Sequence, residues 1–186
     1  NMIPPELANN HFSLKEGEIR PCLTLWLYKN TQIHEYTYVK NVKAMTYAQF
    51  QDTEEFEKDL HYLQDFCKEL DTPDIIKILM EKYNSYFGKY LKSGLLREKN
   101  KDEPACYVPA GGEAVFHTGL GTFNYAHMTS PIRRFPDMYN QLRFAELVPE
   151  LTPEELTLVN NKMQEISRYH YNQSLMDMAY LCKKEK

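Results

Sequence analysis

The sequence predicts a mixed α/β (α+β) fold in which short antiparallel hairpins pack with four or five amphipathic helices. Three observations support this class. Two β-rich runs flank a short polar link, apolar residues recur at helical spacing further along, and a Thr-Pro-Glu-Glu sequence marks a late helix start. Because no internal repeat or low-complexity segment interrupts these elements, we expect one domain, or the larger part of one, over residues 1–186.

Composition narrows the class of protein. The chain has 186 residues, 42% of them hydrophobic and 26% charged, which is typical of a globular domain with a core. The net charge of −4 argues against a broad basic surface for nucleic acid and leaves only local basic patches. Cys22, Cys67, Cys106 and Cys182 are scattered without zinc or redox spacing, and no apolar run is long enough to span a membrane. We therefore expect an intracellular, cytoplasmic protein with reduced thiols.

The first elements are an extended segment and a hairpin. The opening NMIPPEL has neither helix nor strand periodicity, so we expect a loop there. The β-rich runs Cys22–Tyr28 and Ile33–Val42 predict two antiparallel strands. His34 alternates onto one face with two tyrosines, and we interpret it as a hydrogen-bonded sheet residue and not as a metal ligand, because no second ligand lies at suitable spacing.

Two helices follow. Apolar residues recur at intervals of three and four from Thr53 to Leu70, and Thr72-Pro73-Asp74 then ends one helix and caps another, which continues to Tyr90. The second helix carries tyrosines at positions 83, 86 and 90. These rings could form a ladder for stacking bases, but an aromatic stripe at helical spacing favours a place in the core.

A charged connector and a second hairpin are predicted next. Ser93-Gly94 ends the helix, and the run Leu95–Pro104 carries Arg97, Lys99 and Lys101, which we interpret as a solvated loop, with contact to an RNA backbone as the alternative. The short apolar runs Ala105–Val108 and Ala114–His117 flank two glycines, so we expect them to pair with each other.

The stretch FNYAHMTSPIRRFPD, residues 123–137, predicts a phosphate site. Ser130 is a favoured N-cap and Pro131 a favoured first residue, so we expect a helix from Pro131 to about Glu146. Arg133 and Arg134 would add charge to a helix end that is already positive, an arrangement that a bound phosphate would stabilise. Alternatively, Arg133 pairs with Asp137 on an exposed helix face and Arg134 is simply solvated.

The run FHTGLGTFNYAHMTSPIRRFPDM resembles the signature of the RNB-domain exoribonucleases, the ribonuclease II family. That signature typically reads H-x-G-L and then Y-T-H-F-T-S-P-I-R-R-Y-x-D. The matching positions are His117, Gly119, Leu120, Tyr125, His127, Thr129, Ser130, Pro131, Ile132, Arg133, Arg134 and Asp137. The opening segment also resembles the family's M-L-P-x-x-L and S-L-x-x-G-x-x-R segments, which lie downstream of its metal-binding aspartates.

The resemblance implies an RNB-type mixed fold, present here as an incomplete domain, and a processive 3′-5′ exoribonuclease that converts single-stranded RNA to nucleoside 5′-monophosphates with Mg²⁺. It assigns Arg133 as catalytic. The residues that it implies to contact RNA are Tyr125, His127, Thr129, Ser130 and Arg134. The family's four-aspartate cluster is not found in the 186 residues, so the metal ligands are expected outside this chain and the chain alone is predicted to be inactive. Expected partners are the remainder of the RNB domain and domains of the oligonucleotide-binding fold, but no membrane.

Two departures from the family pattern support an alternative. After the aspartate that corresponds to Asp137, the family usually continues to H-R, whereas this chain has Asn140-Gln141-Leu142. On the last helix, Tyr171-Asn172 stands where the family usually carries a charged pair ending in arginine. The alternative is a catalytically inactive RNB-like module for RNA binding or assembly.

Overall fold

A computed structural model describes residues 2–54, 58 and 72–184. These residues form helices and short antiparallel hairpins, which confirms the predicted α+β class. The described helices are a π-helix at Leu7–His11, α1 (Tyr47–Gln51), α2 (Thr72–Tyr90), α3 (Phe135–Phe144) and α4 (Pro153–Lys184). The described strands are β1 (Ile19–Leu27), β2 (Gln32–Lys40), β3 (Leu95–Glu98), β4 (Cys106–Pro109), β5 (Phe116–His117) and β6 (Thr122–Phe123).

The chain divides into two compact units that interleave along the sequence. The first unit combines Asn1–Tyr86 with Met128–Met138, and the second combines Phe87–His127 with Tyr139–Lys186. The first unit contains the β1–β2 hairpin, and the second contains the hairpins β3–β4 and β5–β6.

The first unit is built around the β1–β2 hairpin, which confirms the first predicted strand pair. The strands pair in register from Ile19 opposite Lys40 to Leu27 opposite Gln32, and the Tyr28 N–H closes the turn by a 2.9 Å bond to the Thr31 carbonyl. Ahead of the hairpin, the segment predicted to be a loop contains the π-helix, in which Ala8 is buried.

Tyrosines of α2 attach this helix to the hairpin. The Tyr86 hydroxyl lies 2.9 Å from His34 Nδ1, and the Tyr83 hydroxyl donates to the Leu23 carbonyl at 2.9 Å. His34 is therefore the hydrogen-bonded sheet residue that the sequence predicts. Tyr83 and Tyr86 are held by the hairpin, which supports their place in the core, whereas Tyr90 is exposed.

The segment between the hairpin and α2 differs in part from the prediction. Helix α1 begins after Thr46, whose hydroxyl and backbone N–H exchange hydrogen bonds with Gln49 in a capping box that the sequence analysis missed. Most of the helix predicted from Thr53 to Leu70 lies outside the described residues.

In the second unit the predicted second hairpin is wrong. The strand β4 pairs with β3, from Leu95 opposite Pro109 to Glu98 opposite Cys106, and not with the run after the two glycines. The reason is burial: Leu95 and Leu96 are buried, so the start of the predicted charged connector is a core strand that needs a partner. The run that ends in His117 pairs instead with β6, a few residues further along the chain.

A glycine near the end of α2 allows the chain to pass close to that helix in the second unit. A Cβ atom at Gly88 would lie 1.6 Å from the backbone oxygen of Asn124, a distance that no side chain can occupy. Asn124 itself adopts φ 53°, and its side-chain oxygen accepts a hydrogen bond from the Val115 N–H at 2.9 Å. The segment that leads to Tyr125 is thus seated directly on the helix.

Helix α4 starts with the predicted capping box. The Thr152 N–H donates to Glu155 Oε2 at 2.8 Å, and the Glu155 N–H donates to the Thr152 hydroxyl at 3.3 Å. Asn160 joins α4 to β4, because its amide group accepts from the Tyr107 N–H and donates to the Tyr107 carbonyl. Among the described helices, none combines the length and apolar character needed to cross a membrane.

Candidate functional site

The helix that was predicted to begin at Pro131 begins four residues later, at Phe135. Residues 131–133 form a turn, in which the Ser130 carbonyl accepts from the N–H groups of Arg133 at 3.2 Å and Arg134 at 3.0 Å. Pro136 explains the shift. Proline has no N–H for a bond to residue 132 and disfavours helical backbone in the residue before it, so it fits only near a helix start.

A buried carboxylate closes this turn. Asp137 Oδ1 accepts hydrogen bonds from the Ser130 N–H at 2.8 Å and from Arg134 Nη2 at 2.7 Å. The Asp137 side chain is 0% exposed and that of Arg134 is 22% exposed. We call residues 130–137, held in this way, the Ser130–Asp137 turn. It belongs entirely to the first unit.

The protein replaces only part of the hydration that the Asp137 carboxylate loses on burial. Burial raises the pKa of this carboxyl above its ordinary value of 3.8, since the lost hydration outweighs the attraction of Arg134, the Ser130 N–H and Arg133. Its second oxygen, Oδ2, is buried and has no hydrogen-bond partner among the described residues. Removing Arg134 would leave the buried Asp137 carboxylate without its cation, which would lower the stability of the fold.

The two neighbouring arginines have opposite environments. The pair expected in the alternative interpretation, Arg133 with Asp137, is replaced by Arg134 with Asp137. Arg133 is exposed, and within the described part of the chain its guanidinium group forms neither a hydrogen bond nor an ion pair. The turn therefore presents one guanidinium group, that of Arg133, to solvent.

The predicted RNA-binding residues Thr129 and Ser130 lie where the chain enters the Ser130–Asp137 turn. Just before them, the Met128 N–H donates to the side-chain oxygen of the buried Asn84 at 3.0 Å. The hydroxyl oxygen of Thr129 is buried and has no hydrogen-bond partner among the residues the structure describes. Because the Ser130 N–H is bonded to Asp137, only the Ser130 hydroxyl could serve a ligand.

Tyr125 and His127 belong to the second unit and lie together there. Tyr125 is 3% exposed, and its ring meets the ring of His127 edge-on at 5.5 Å. His127 Nδ1 lies 2.7 Å from the Tyr107 hydroxyl. Because a buried ring has no free face, this structure does not favour base stacking on Tyr125.

Asn140 is a residue whose importance the sequence analysis missed. Its side chain is 0% exposed, accepts from the Leu95 N–H at 2.7 Å, and donates to the carbonyls of Leu95 at 2.9 Å and His127 at 3.0 Å. One amide thus satisfies three backbone groups in the second unit. The available signal was an asparagine inside the helix predicted from Pro131, and a polar residue there is informative only once it is known to be buried.

The described residues do not fit a metal centre. Across residues 2–54, 58 and 72–184, no three His, Cys, Asp or Glu side chains lie together in a way that could hold an ion. Two Mg²⁺ ions in a nuclease require a cluster of oxygen ligands. We therefore derive no step through a metal from these residues.

A scan against protein-family models matches the RNB domain to residues 27–149, which is two thirds of the chain. The chain belongs to the RNB-domain (ribonuclease II) family. Searches of curated proteins and of solved structures each gave no significant match. The matched range of the RNB domain includes the whole Ser130–Asp137 turn, together with Tyr125, His127 and Asn140.

Family membership establishes a class of activity. An RNB domain implies ribonuclease-type RNA degradation, an exoribonuclease hydrolase, and RNA as the substrate that is bound.

Proposed function

We propose that this RNB domain is part of a processive 3′-5′ exoribonuclease that hydrolyses single-stranded RNA to nucleoside 5′-monophosphates, and that Arg133 clamps the scissile phosphate. One observation carries the proposal. Arg133 is exposed on a turn that is tied from within by Asp137, and its guanidinium group forms no ion pair with a described residue. A cation held in that way is suited to an anionic ligand.

The chemistry of phosphodiester hydrolysis explains what Arg133 would do. As the attacking oxygen approaches phosphorus, negative charge builds on the non-bridging oxygens. A guanidinium fork can donate two parallel hydrogen bonds to those oxygens, and it stays protonated throughout the reaction. Because the fork stabilises the developing charge more than the starting phosphate, its main effect is expected on turnover.

The other site residues would support this clamp in different ways. The hydroxyl groups of Thr129 and Ser130 are assigned to phosphate contacts, and the buried, unbonded Thr129 oxygen among the described residues supports this. Arg134 would hold the turn through Asp137 more than it would touch RNA. We assign His127 a packing role, because its ring is already bonded to Tyr107.

The remaining parts of the enzyme are proposed to lie outside these residues. We propose that Mg²⁺ is the cofactor, that its carboxylate ligands come from a part of the RNB domain not included in the 186 residues, and that domains of the oligonucleotide-binding fold flank it. We also propose an intracellular, cytoplasmic location, which agrees with the free thiols of Cys22 and Cys106.

The decisive experiment changes Arg133 in a protein that also carries the carboxylate-bearing segment. Turnover of 5′-labelled single-stranded RNA and its equilibrium binding are measured with Mg²⁺ for wild type, Arg133→Ala and Lys89→Ala, a control that removes an exposed charge from α2. We expect Arg133→Ala to lower kcat about 10²- to 10³-fold, as for loss of one preorganised donor, with a much smaller effect on Kd. Undiminished turnover would refute the assignment.

A second candidate is an inactive RNB-like module that binds RNA or serves an assembly. It is favoured by the departures at Gln141, Leu142 and Asn172 from the family pattern. The same experiment separates the two functions, because the inactive module predicts RNA binding by the extended wild-type protein without any hydrolysis.

A further inference from the structure

A cleft in the second unit is lined by residues of β3, of the segment after β3 and of α4. Its β3 wall lies next to one residue of the signature, because the Arg97 N–H donates to the Tyr125 carbonyl at 2.7 Å. Its volume is about 560 Å³, which is within the range of small-molecule sites. One wall consists of Arg97 from β3 with Pro104 and Ala105, and the other is a face of α4 that includes Gln164, Glu165 and Arg168.

The charges in this cleft are unbalanced. The Arg97 guanidinium lies over the Tyr107 ring, 5.2 Å from its centroid, and makes no ion pair with a described residue. Arg168 likewise has no ion-pair partner within the described ranges. The lining carboxylate, Glu165, is already bonded to Lys162 at 2.9 Å, and that bond is the main cause that lowers its pKa. Two arginines therefore face a cleft whose lining contains one carboxylate, Glu165, which is bonded to Lys162 and also attracts Arg168, so positive charge is in excess.

The remaining lining groups suit a nucleotide better than a simple anion. Pro104 and Ala105 offer an apolar wall against which a base can lie, and the side-chain amides of Asn161 and Gln164 can donate to and accept from the edge of a base. A guanidinium fork matches phosphate oxygens. The volume is sufficient for one nucleotide with its phosphate.

We propose that this cleft binds one nucleotide unit of single-stranded RNA, with its phosphate held by Arg97 and Arg168. The proposal rests on the proposed function, because it assumes that the chain binds RNA. It adds a contact on β3 and α4 that would contribute to holding the strand. An acidic peptide is the competing ligand, and its binding would overturn the proposal.

The test compares the removal of a positive charge inside the cleft with the removal of one outside it. Binding of fluorescein-labelled oligo(A) RNA to the 186-residue chain is measured by anisotropy over a series of salt concentrations for wild type, Arg168→Ala and Lys89→Ala. Lys89 is an exposed residue of α2 in the second unit and does not line the cleft. Loss of a charged contact to phosphate should weaken binding by Arg168→Ala about tenfold to a hundredfold and reduce the salt slope by about 0.7, whereas Lys89→Ala should bind nearly as wild type.

The outcomes separate this proposal from the proposed function. If wild type binds RNA and the two variants weaken binding equally or not at all, the cleft proposal fails and the role of Arg133 is untouched. If polyglutamate displaces the RNA from wild type but not from Arg168→Ala, the cleft binds acidic peptides and the proposal also fails. If wild type binds no RNA, the cleft proposal fails, whereas the role of Arg133 is decided by turnover in the extended protein. If Arg168→Ala alone loses affinity while Arg133→Ala keeps full turnover in the extended protein, only the catalytic assignment fails.

Discussion

Replacing each of the two adjacent arginines by alanine should separate stability from catalysis. Arg134→Ala removes the cation from a carboxylate that is 0% exposed and leaves Asp137 with a single hydrogen bond, from the Ser130 N–H. Breaking a buried pair from one side costs roughly 3–5 kcal/mol. Because the Ser130 bond remains, we expect a loss of about 3 kcal/mol in the free energy of unfolding, which corresponds to a fall in Tm of roughly 6–12 °C for a chain of this size.

Arg133→Ala is the matched control, because it makes the same chemical change at the next residue. Since Arg133 is exposed and unpaired with any described residue, its removal should change the free energy of unfolding by less than about 0.5 kcal/mol. Urea titrations followed by circular dichroism measure both variants. The double variant Arg134→Ala with Asp137→Asn removes the buried charge as well and should recover much of the loss. Equal stabilities for the two single variants would refute the assigned roles.

Two further predictions concern the second unit. Burial, with added repulsion from Arg97, lowers the pKa of His117 below its ordinary value of 6.5. The folded state therefore resists protonation of this ring, and stability falls as the pH drops below 6.5. Thermal melts of His117→Gln between pH 7.5 and 5 should lack this part of the pH dependence, and a profile unchanged from wild type would contradict the prediction. Gly88→Ala would place a Cβ atom 1.6 Å from the Asn124 backbone oxygen and should lower the free energy of unfolding, measured by urea titration, by at least about 1–3 kcal/mol. Gly112→Ala is the control and should be nearly neutral, because no atom lies within 4 Å of its added Cβ. Similar losses in the two variants would show that the close approach at Gly88 is unimportant.

Elements whose determinants are local were predicted well. The β1–β2 hairpin depends on two β-rich runs and the link between them, and the start of α4 depends on Thr152 and Glu155, three residues apart. The same holds for α2, which begins at the predicted Thr72 and ends at the predicted Tyr90. For the hairpin and for the start of α4, the interaction that fixes the element lies within a few residues of it.

Elements that depend on distant partners were predicted less well. The pairing of β3 with β4 requires Leu95 and Leu96 to be buried, and nothing in their immediate neighbours distinguishes a buried strand from the start of a charged loop. Asn140 poses the same problem, because its three backbone partners lie 13 to 45 residues away. Single-sequence patterns carry little information about contacts at such separations.

The candidate site was predicted in its residues but not in its geometry. The motif singled out Arg133, and the resemblance assigned it a role that is still a prediction. What the sequence analysis overlooked was Pro136, which moves the helix start to Phe135 and brings Asp137 under the turn. Asp137 then pairs with Arg134, which lies three residues before it at the helix start, and not with Arg133, which lies four residues before it.

The internal closure of the Ser130–Asp137 turn has a consequence for the entropy of binding. Ordering a flexible loop around a ligand costs about 1–2 kcal/mol for every backbone residue that is fixed. In this turn the backbone is already held by the Ser130 carbonyl, the Asp137 carboxylate and the rigid ring of Pro131. A phosphate that meets Arg133 would therefore order little more than one long side chain, at a cost of at most about 2 kcal/mol, so most of the energy of the contact remains available for binding or turnover.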